Sequence, residues 1–342
     1  MQLSQRARLF WSRLKSFWRK PVSDEPVVET AGPLPPPGRK HLWRRLALGA
    51  ALLVVLAWPA MALLTSRIDD DPGFVPPAPP PGGSATVAMM AGLMENQITR
   101  AGWVANAPFF MPAHMLDNMP NYQIGLVTAL GRFAFELEDQ IGRERGSSAS
   151  DADLSAARSR LQYSPTVWIF KPGTLWPTAP AEGQYRDAIA ALRRYNVRLA
   201  AGKATFDTRP DNLLAALDRI AYDLGSASAE LDAHITKRHK TLGLLDLEAD
   251  NIFYRTKGRA YGYYMILKAL RTDFDSVISQ RDSTGLYDKM LGELRRAAIM
   301  EPLVVNNGAI SGQVFPNHLA NQGFFLLRAR AKLRELTDIL KK

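Results

Sequence analysis

The chain holds 342 residues, with 43 Lys and Arg against 33 Asp and Glu, 46% hydrophobic residues, 9% aromatics and no cysteine. That composition is globular, and the missing sulfur excludes disulfides, cysteine nucleophiles, cysteine-bound zinc and iron–sulfur clusters together. The positive surplus is local: residues 1–45 carry ten Lys and Arg against three acids, while the rest carry 33 against 30, which reads against DNA or RNA as a partner.

In chain order, Ala7, Phe10, Trp11, Leu14, Phe17 and Trp18 recur at helical spacing with Arg8, Arg13, Lys15 and Arg19 between them. The pattern predicts an amphipathic cytoplasmic helix over 1–20 lying in a membrane interface. Trp11 and Trp18 would enter the headgroup boundary, and each basic side chain would gain about 1 kcal/mol from anionic lipid. Packing on a cytosolic partner is the competing reading. Residues 21–45 form a proline-rich basic linker containing Pro33-Leu34-Pro35-Pro36-Pro37.

From Leu46 to Leu64 nineteen residues pass without a charge, and as a helix they span about 28 Å, one bilayer core. Arg39, Lys40, Arg44 and Arg45 precede this run and Asp69, Asp70 and Asp71 follow it. The positive-inside rule then puts the N-terminus in the cytoplasm and everything after about Ser66 outside. Trp43 and Trp58 fall near its ends, where an indole ring suits the interface. A signal peptide cleaved after Ala60-Met61-Ala62 is the alternative, but the 45 residues ahead of the run far exceed an ordinary n-region. Residues 65–83, with Pro76-Pro77-Ala78-Pro79-Pro80-Pro81-Gly82-Gly83, read as a linker. Polyproline II rises about 3.1 Å per residue, so the expectation is a spacer holding the outer domain some tens of ångströms from the bilayer.

Residues 84–342 are expected to form one mainly α-helical domain, a bundle of long helices with at most a small β-hairpin, in one lobe or two. Val127, Leu130, Ala134, Leu137 and Ile141 step by three and four; so do Leu213, Leu217, Ile220, Leu224, Ala227 and Leu231, and Ala329, Leu333, Leu336 and Leu340. Further helices are predicted at 85–100, 150–162, 181–201, 246–280 and 285–299, with Ser84, Ser150 and Asp211 as caps and Pro180 and Pro302 as punctuation. Pro165–Phe170 and Leu303–Phe315 carry the strand signal, the latter with an Asn307-Gly308 turn.

Motifs whose spacing carries a mechanism are absent: there is no P-loop, GxGxxG, GxSxG, HExxH or EF-hand pattern, and the one SxxK, Ser12–Lys15, stands on the cytoplasmic side without partners. His41, His114, His234, His239 and His318 are too scattered to propose a triad or a metal site, although His234 follows Glu230 by four residues on one helix face. Met89, Met90, Met94, Met111, Met115 and Met119 cluster, and Met111 and Met115 with His114 offer soft donors for copper(I); filling an irregular core is the plainer role. Glu136, Glu138 and Asp139 lie at ion-pair spacing from Arg132 and Arg143. Glu248 and Asp250, followed by Tyr254, Tyr261, Tyr263 and Tyr264, allow a glycan site with one carboxyl as general acid, against helix packing as the simpler account. No catalytic, cofactor-binding or metal-binding residue is assigned.

The stretch from Trp168 to Leu192 is the most unusual. Trp168, Phe170, Trp176 and Tyr185 surround prolines in a long loop that either plugs the end of a bundle or offers stacking surface to a partner. They are the candidate partner-binding residues. This loop, with Asn251–Tyr264 (NIFYRTKGRAYGYY) and Asn306–Leu333, resembles a proteobacterial family of membrane-anchored proteins catalogued as domain of unknown function 2333. The resemblance covers about 85–342, implies a bacterial envelope protein and carries over no catalytic residue. The outer part also has no N-x-[ST] sequon, which suits a bacterial origin.

The reading is therefore a single-pass bacterial inner-membrane protein, N-terminus cytoplasmic, whose periplasmic helical domain serves as a non-enzymatic scaffold, adaptor or assembly factor. Its expected partners are the lipid bilayer and an envelope protein, and a homo-oligomer stays open. An envelope glycan-binding module or hydrolase using Glu248 or Asp250 is the first alternative; a copper-handling protein is the second.

Overall fold

The computed structural model describes residues 39–65, 67–143, 150–170, 173, 176–236, 246–308 and 316–342. Among them stand ten α-helices and no strand. The helix expected over 1–20, with Trp11 and Trp18, lies outside the described residues. Contacts divide the chain between Val54 and Val55, and the described part of the first unit is the beginning of α1.

Helix α1 (Arg39–Thr65) contains the whole predicted apolar run and extends it towards the N-terminus. From Leu42 onwards it is long and apolar enough to cross a membrane once. Its Leu, Val and Trp side chains, Trp43 and Trp58 included, face outward instead of into a core.

The remaining helices are α2 (Ala85–Glu95), α3 (Asn118–Glu136), α4 (Ala152–Leu161), α5 (Ala181–Ala200), α6 (Pro210–Thr236), α7 (Leu247–Asp273), α8 (Asp275–Gln280), α9 (Thr284–Ala298) and α10 (His318–Leu340). Single π-helical turns, Asn96–Arg100 and Leu137–Ile141, continue α2 and α3. Every residue of the three predicted seams is buried, because a stripe repeating at three and four meets the facing helix on each turn. Ser84 caps α2 as expected, its hydroxyl accepting from the Val87 N–H. Asp151, not Ser150, caps α4 by accepting from the N–H groups of Asp153 and Leu154. Asp211 falls in the first turn of α6, which Pro210 opens. The helix predicted over 246–280 breaks at Phe274. In place of a hairpin, the described residues show isolated bridges between Phe170 and Pro177 and between Asn307 and Asn317.

Helices α3 and α7 cross at backbone distance. A Cβ on Gly125 would stand 2.0 Å from the Arg255 carbonyl oxygen, and one on Gly258 2.0 Å from that of Tyr122. Glycine alone permits this approach.

Hydrogen bonds fix two ends of the bundle. At one end the Asp273 carboxylate, closing α7, accepts from the Ser84 hydroxyl and from the N–H groups of Ala85 and Thr86 at 2.7–2.9 Å, so it caps α2 from another helix. Asn196 of α5 pairs there with the Ser84 backbone. At the opposite end Asn121 near the start of α3 meets Asn251 near the start of α7 at 2.7 Å, and Lys257 of α7 meets the Met300 carbonyl just past α9. The described residues of three loops, 101–117, 162–180 and 299–317, emerge there.

The linker expected over 65–83 is not a free spacer. Ile68 and Phe74 pack on the core. The Tyr122 hydroxyl donates to the Asp69 carbonyl, Tyr261 to that of Asp71, and the Lys268 Nζ to that of Pro72. Pro76 lies so close over Gly92 that a Cβ there would meet it at 2.5 Å. Residues 67–83 form a strap, since the carbonyls of Asp69, Asp71 and Pro72 take their donors from the helices and Pro76 fits over Gly92.

Candidate functional site

The strap is fastened by a buried ion pair. Lys257, in the third turn of α7, has its side chain 1% exposed and its Nζ 2.8 Å from the Asp70 carboxylate. The same ammonium donates to the Met300 carbonyl at 2.8 Å, and Glu301 lies 3.8 Å away. Asp69 receives a hydrogen bond from Asn96 at 3.0 Å and faces Arg100 at 3.7 Å. The acidic triplet therefore docks the segment after α1 onto α2, α3 and α7. In the sequence the triplet reads only as a topology signal, and the one clue to Lys257 is a lysine in the glycine-rich, tyrosine-rich middle of α7.

An aromatic surface stands at the same end of the bundle. Its base is rigid. Trp103 donates to the Pro165 carbonyl at 3.1 Å and packs edge-on against Tyr185, 4.9 Å between centroids. Asn106 donates to the Val167 carbonyl and to Glu182. Gln123 accepts from the N–H groups of Val104 and Ala105. Above this base Phe109, Phe110, Trp168 and Phe170 form a chain of edge contacts with centroids 5.5, 5.7 and 5.8 Å apart. Phe109 is 83% exposed and Trp176 80%.

Of the four residues proposed for a partner, Trp168, Phe170 and Trp176 thus reach this surface. Tyr185 does not: it is fully buried, and its hydroxyl donates to the Tyr163 carbonyl. Burial pushes that phenol well above its ordinary range, with Glu182 adding to the effect. Phe109 and Phe110 went unnoticed in sequence. Their signal was an aromatic doublet between Pro108 and Pro112, a setting where no helix can bury both rings.

Of the carboxylate and histidine candidates, Glu230, His234 and Glu248 line one cleft, and Asp250 is not part of it. His234 is buried, with Nε2 2.8 Å from Asp246 and Nδ1 3.8 Å from Glu248. Burial alone would raise the Asp246 carboxyl, but hydrogen bonds from His234 and the Ala249 N–H outweigh it and hold Asp246 below its ordinary value. Glu230 turns instead to Arg255 at 3.2 Å and Arg259 at 3.8 Å. A cleft of about 270 Å³ beside His234 is lined by Glu230, Glu248, Asn251 and Arg255, among others, and contains no tyrosine and no residue of the aromatic loop.

Asp250 stands half-buried near Asp117, and burial, reinforced by that second acid, raises it to about 6. Tyr254 is pushed up to about 12, chiefly by burial. Tyr261 and Tyr263 lie in the core with their hydroxyls bound to the Asp71 carbonyl and the Asp223 carboxylate. The tyrosines of α7 are therefore packing and fastening groups.

Of the clustered methionines, Met89, Met90, Met94 and Met119 are core residues, whereas Met111 and Met115 are exposed. The His114 Nδ1 faces the Ala107 carbonyl at 3.1 Å. Among the described residues no group of three or more His, Asp or Glu is gathered for a metal. Arg132 reaches across to Asp223 at 2.7 Å instead of pairing with Glu136, which faces Arg219; Arg143 does pair with Asp139, at 3.6 Å.

One further surface lacks a cover. A crevice of about 430 Å³ between α6 and α10 has Gly225, Ala229 and Gly323 along it and exposed Phe324 and Leu327 at its rim.

Residues 77–249 and 237–342 match a family model described as an uncharacterized protein conserved in bacteria, DUF2333. No curated protein and no solved structure matches the chain.

Proposed function

Because the chain belongs to the bacterial DUF2333 family and carries one helix able to span a membrane, we propose that it is a single-pass inner-membrane scaffold. In this reading α1 is an uncleaved anchor, the N-terminus is cytoplasmic, and the helical domain serves in the periplasm as an adaptor or assembly factor for an envelope protein. The observation that carries it is the fastening of Asp69, Asp70 and Asp71 to α2, α3 and α7. A domain latched within a few residues of its anchor is held near the membrane, which suits a platform for an envelope partner.

The orientation is tested by a reporter fused after Lys342 that is active only outside the cytoplasm; an inactive fusion rejects it. The adaptor role is tested with a photo-crosslinking residue at Phe324 of the full-length protein in its native membrane. The expected result is an envelope-protein adduct of a single mass that is lost with Leu327→Asp. Absence of any protein adduct there counts against an adaptor.

The glycan reading keeps one observation, the raised carboxyl of Asp250. It requires the full-length protein to bind peptidoglycan fragments and to lose that binding with Asp250→Asn. The tyrosines it would stack on are packed inside.

A further inference from the structure

Outside α1, fifteen large apolar side chains are exposed among the described residues, and nine of them belong to the loops 101–117, 162–180 and 299–317. These loops leave the bundle at one end. Phe109, Phe110, Phe170 and Trp176 stand on the first two, and Leu303 and Val304, also exposed, on the third. So segregated an apolar surface marks a contact site, for a protein or for a membrane.

The path of the chain favours the membrane. Asp69 meets Asn96, Arg100 and Tyr122, which flank the first of these loops on α2 and α3. Asp70 meets Lys257 and so adjoins the Met300–Glu301 turn that begins the third. Asp69 is the fourth residue after Thr65, the last of α1, so at most about 14 Å of extended chain joins the apolar helix to this end of the bundle. The side chains are the kind that suits such a place: Trp favours the headgroup boundary of a bilayer, and Phe and Leu make the apolar side of surfaces that lie in it. The hydrogen-bonded base beneath them keeps the rings outside the core.

We propose that these loop tips seat in the lipid interface of the membrane that α1 crosses, so that the helical domain rests on the outer face of the bilayer and is held at two points, the anchor and the aromatic foot. The proposal rests on reading α1 as an uncleaved anchor. It leaves the α6–α10 crevice, not the aromatic surface, to a protein partner.

The test uses the full chain, whose lack of cysteine makes single-site labelling direct. Phe109→Cys, Trp176→Cys and Leu303→Cys are each labelled with nitrobenzoxadiazole in vesicles of phosphatidylethanolamine and phosphatidylglycerol. Leu56→Cys in α1 and Val197→Cys near the far end of the bundle are controls. Nitroxide lipids should quench the three tip labels severalfold more than the label at 197, with shallow nitroxides more effective than deep ones, while the label at 56 is quenched best by deep ones. Phe109→Ser with Phe110→Ser should reduce quenching at 303, since the tips seat together. Quenching at 56 with tip signals equal to that at 197 overturns the foot and leaves the anchor standing. No quenching at 56 removes the anchor and the foot with it. Tip labels shielded only after native membrane proteins are added give the surface to a protein partner and also overturn the proposal.

Discussion

With the Asp70 carboxylate removed, the Lys257 ammonium would stay buried with the Met300 carbonyl and the more distant Glu301 as its remaining partners. An unpaired buried charge costs several kcal/mol, so Asp70→Asn should lower the unfolding free energy by about 3–5 kcal/mol in urea titrations of the detergent-solubilised protein. Asp70→Leu combined with Lys257→Met should recover most of that loss, since the pair's attraction is offset by its own desolvation. Asp250 behaves in the opposite sense to a paired acid. Its native value near 6 lies above the unfolded one, so the native state binds the extra proton, and stability falls as pH rises from about 4 to 6. Asp250→Asn should therefore stabilise the protein at pH 8 by on the order of 1 kcal/mol, about 2–4 °C, after allowance for solvent screening of a half-exposed group. At pH 4 it should change little. An equal gain at both pH values would assign the effect to something other than charge. Neither environment was legible in sequence, because a lysine or aspartate on a helix shows nothing of what another segment lays against it.

At the scale of elements, the α3–α7 crossing is the most demanding contact. Gly258→Ala would push a methyl into the Tyr122 carbonyl, and Gly125→Ala into that of Arg255. Each should cost about 3 kcal/mol or more, beyond the usual overpacking penalty, because backbone cannot move aside as a side chain can. Gly292→Ala on α9, where a new Cβ meets nothing within 4 Å, is expected to gain about 0.5–1 kcal/mol from helix propensity. Thermal melting of the three variants in one detergent checks the contrast, and similar losses at Gly258 and Gly292 would contradict it. The helices themselves were readable, since apolar residues repeating every three or four positions have one way to be buried. The glycines were not, for a glycine inside a helical pattern looks alike whether it weakens a turn or admits a neighbouring backbone.

For the whole molecule, the strap and its latch make residues 67–83 part of the folded domain. Replacing them in the full chain by a Gly-Ser segment of equal length would leave a simple spacer's function intact. Here it should lower the thermal midpoint by several degrees, because Lys257 loses the Asp70 carboxylate, the core loses Ile68 and Phe74, and the carbonyls that Tyr122 and Tyr261 donate to are no longer held in place. An unchanged midpoint would return the segment to the role of a tether. The expectation of a free linker failed for a physical reason: the carbonyls of Asp69, Asp71 and Pro72, just ahead of the proline run, meet phenols and an ammonium that need acceptors on the helices, and Ile68 and Phe74 find apolar cover there.

By itself the sequence determined the properties that depend on local period and on composition. Its nineteen uncharged residues specify a helix that can span a bilayer, its three seams specify a helical bundle, and its lack of cysteine removes a whole chemistry. Tertiary structure decided everything that depends on which residues meet across the chain. It sent Tyr185 into the core while Phe170 and Trp176 stayed exposed and Trp168 half-buried, joined Phe109 and Phe110 to them, turned an acidic topology signal into a latch, and set Glu248 in a cleft that no tyrosine lines. Spacing along one helix fixes only which side chains share a face. What that face meets is set by packing between segments tens or hundreds of residues apart, and no local pattern encodes it.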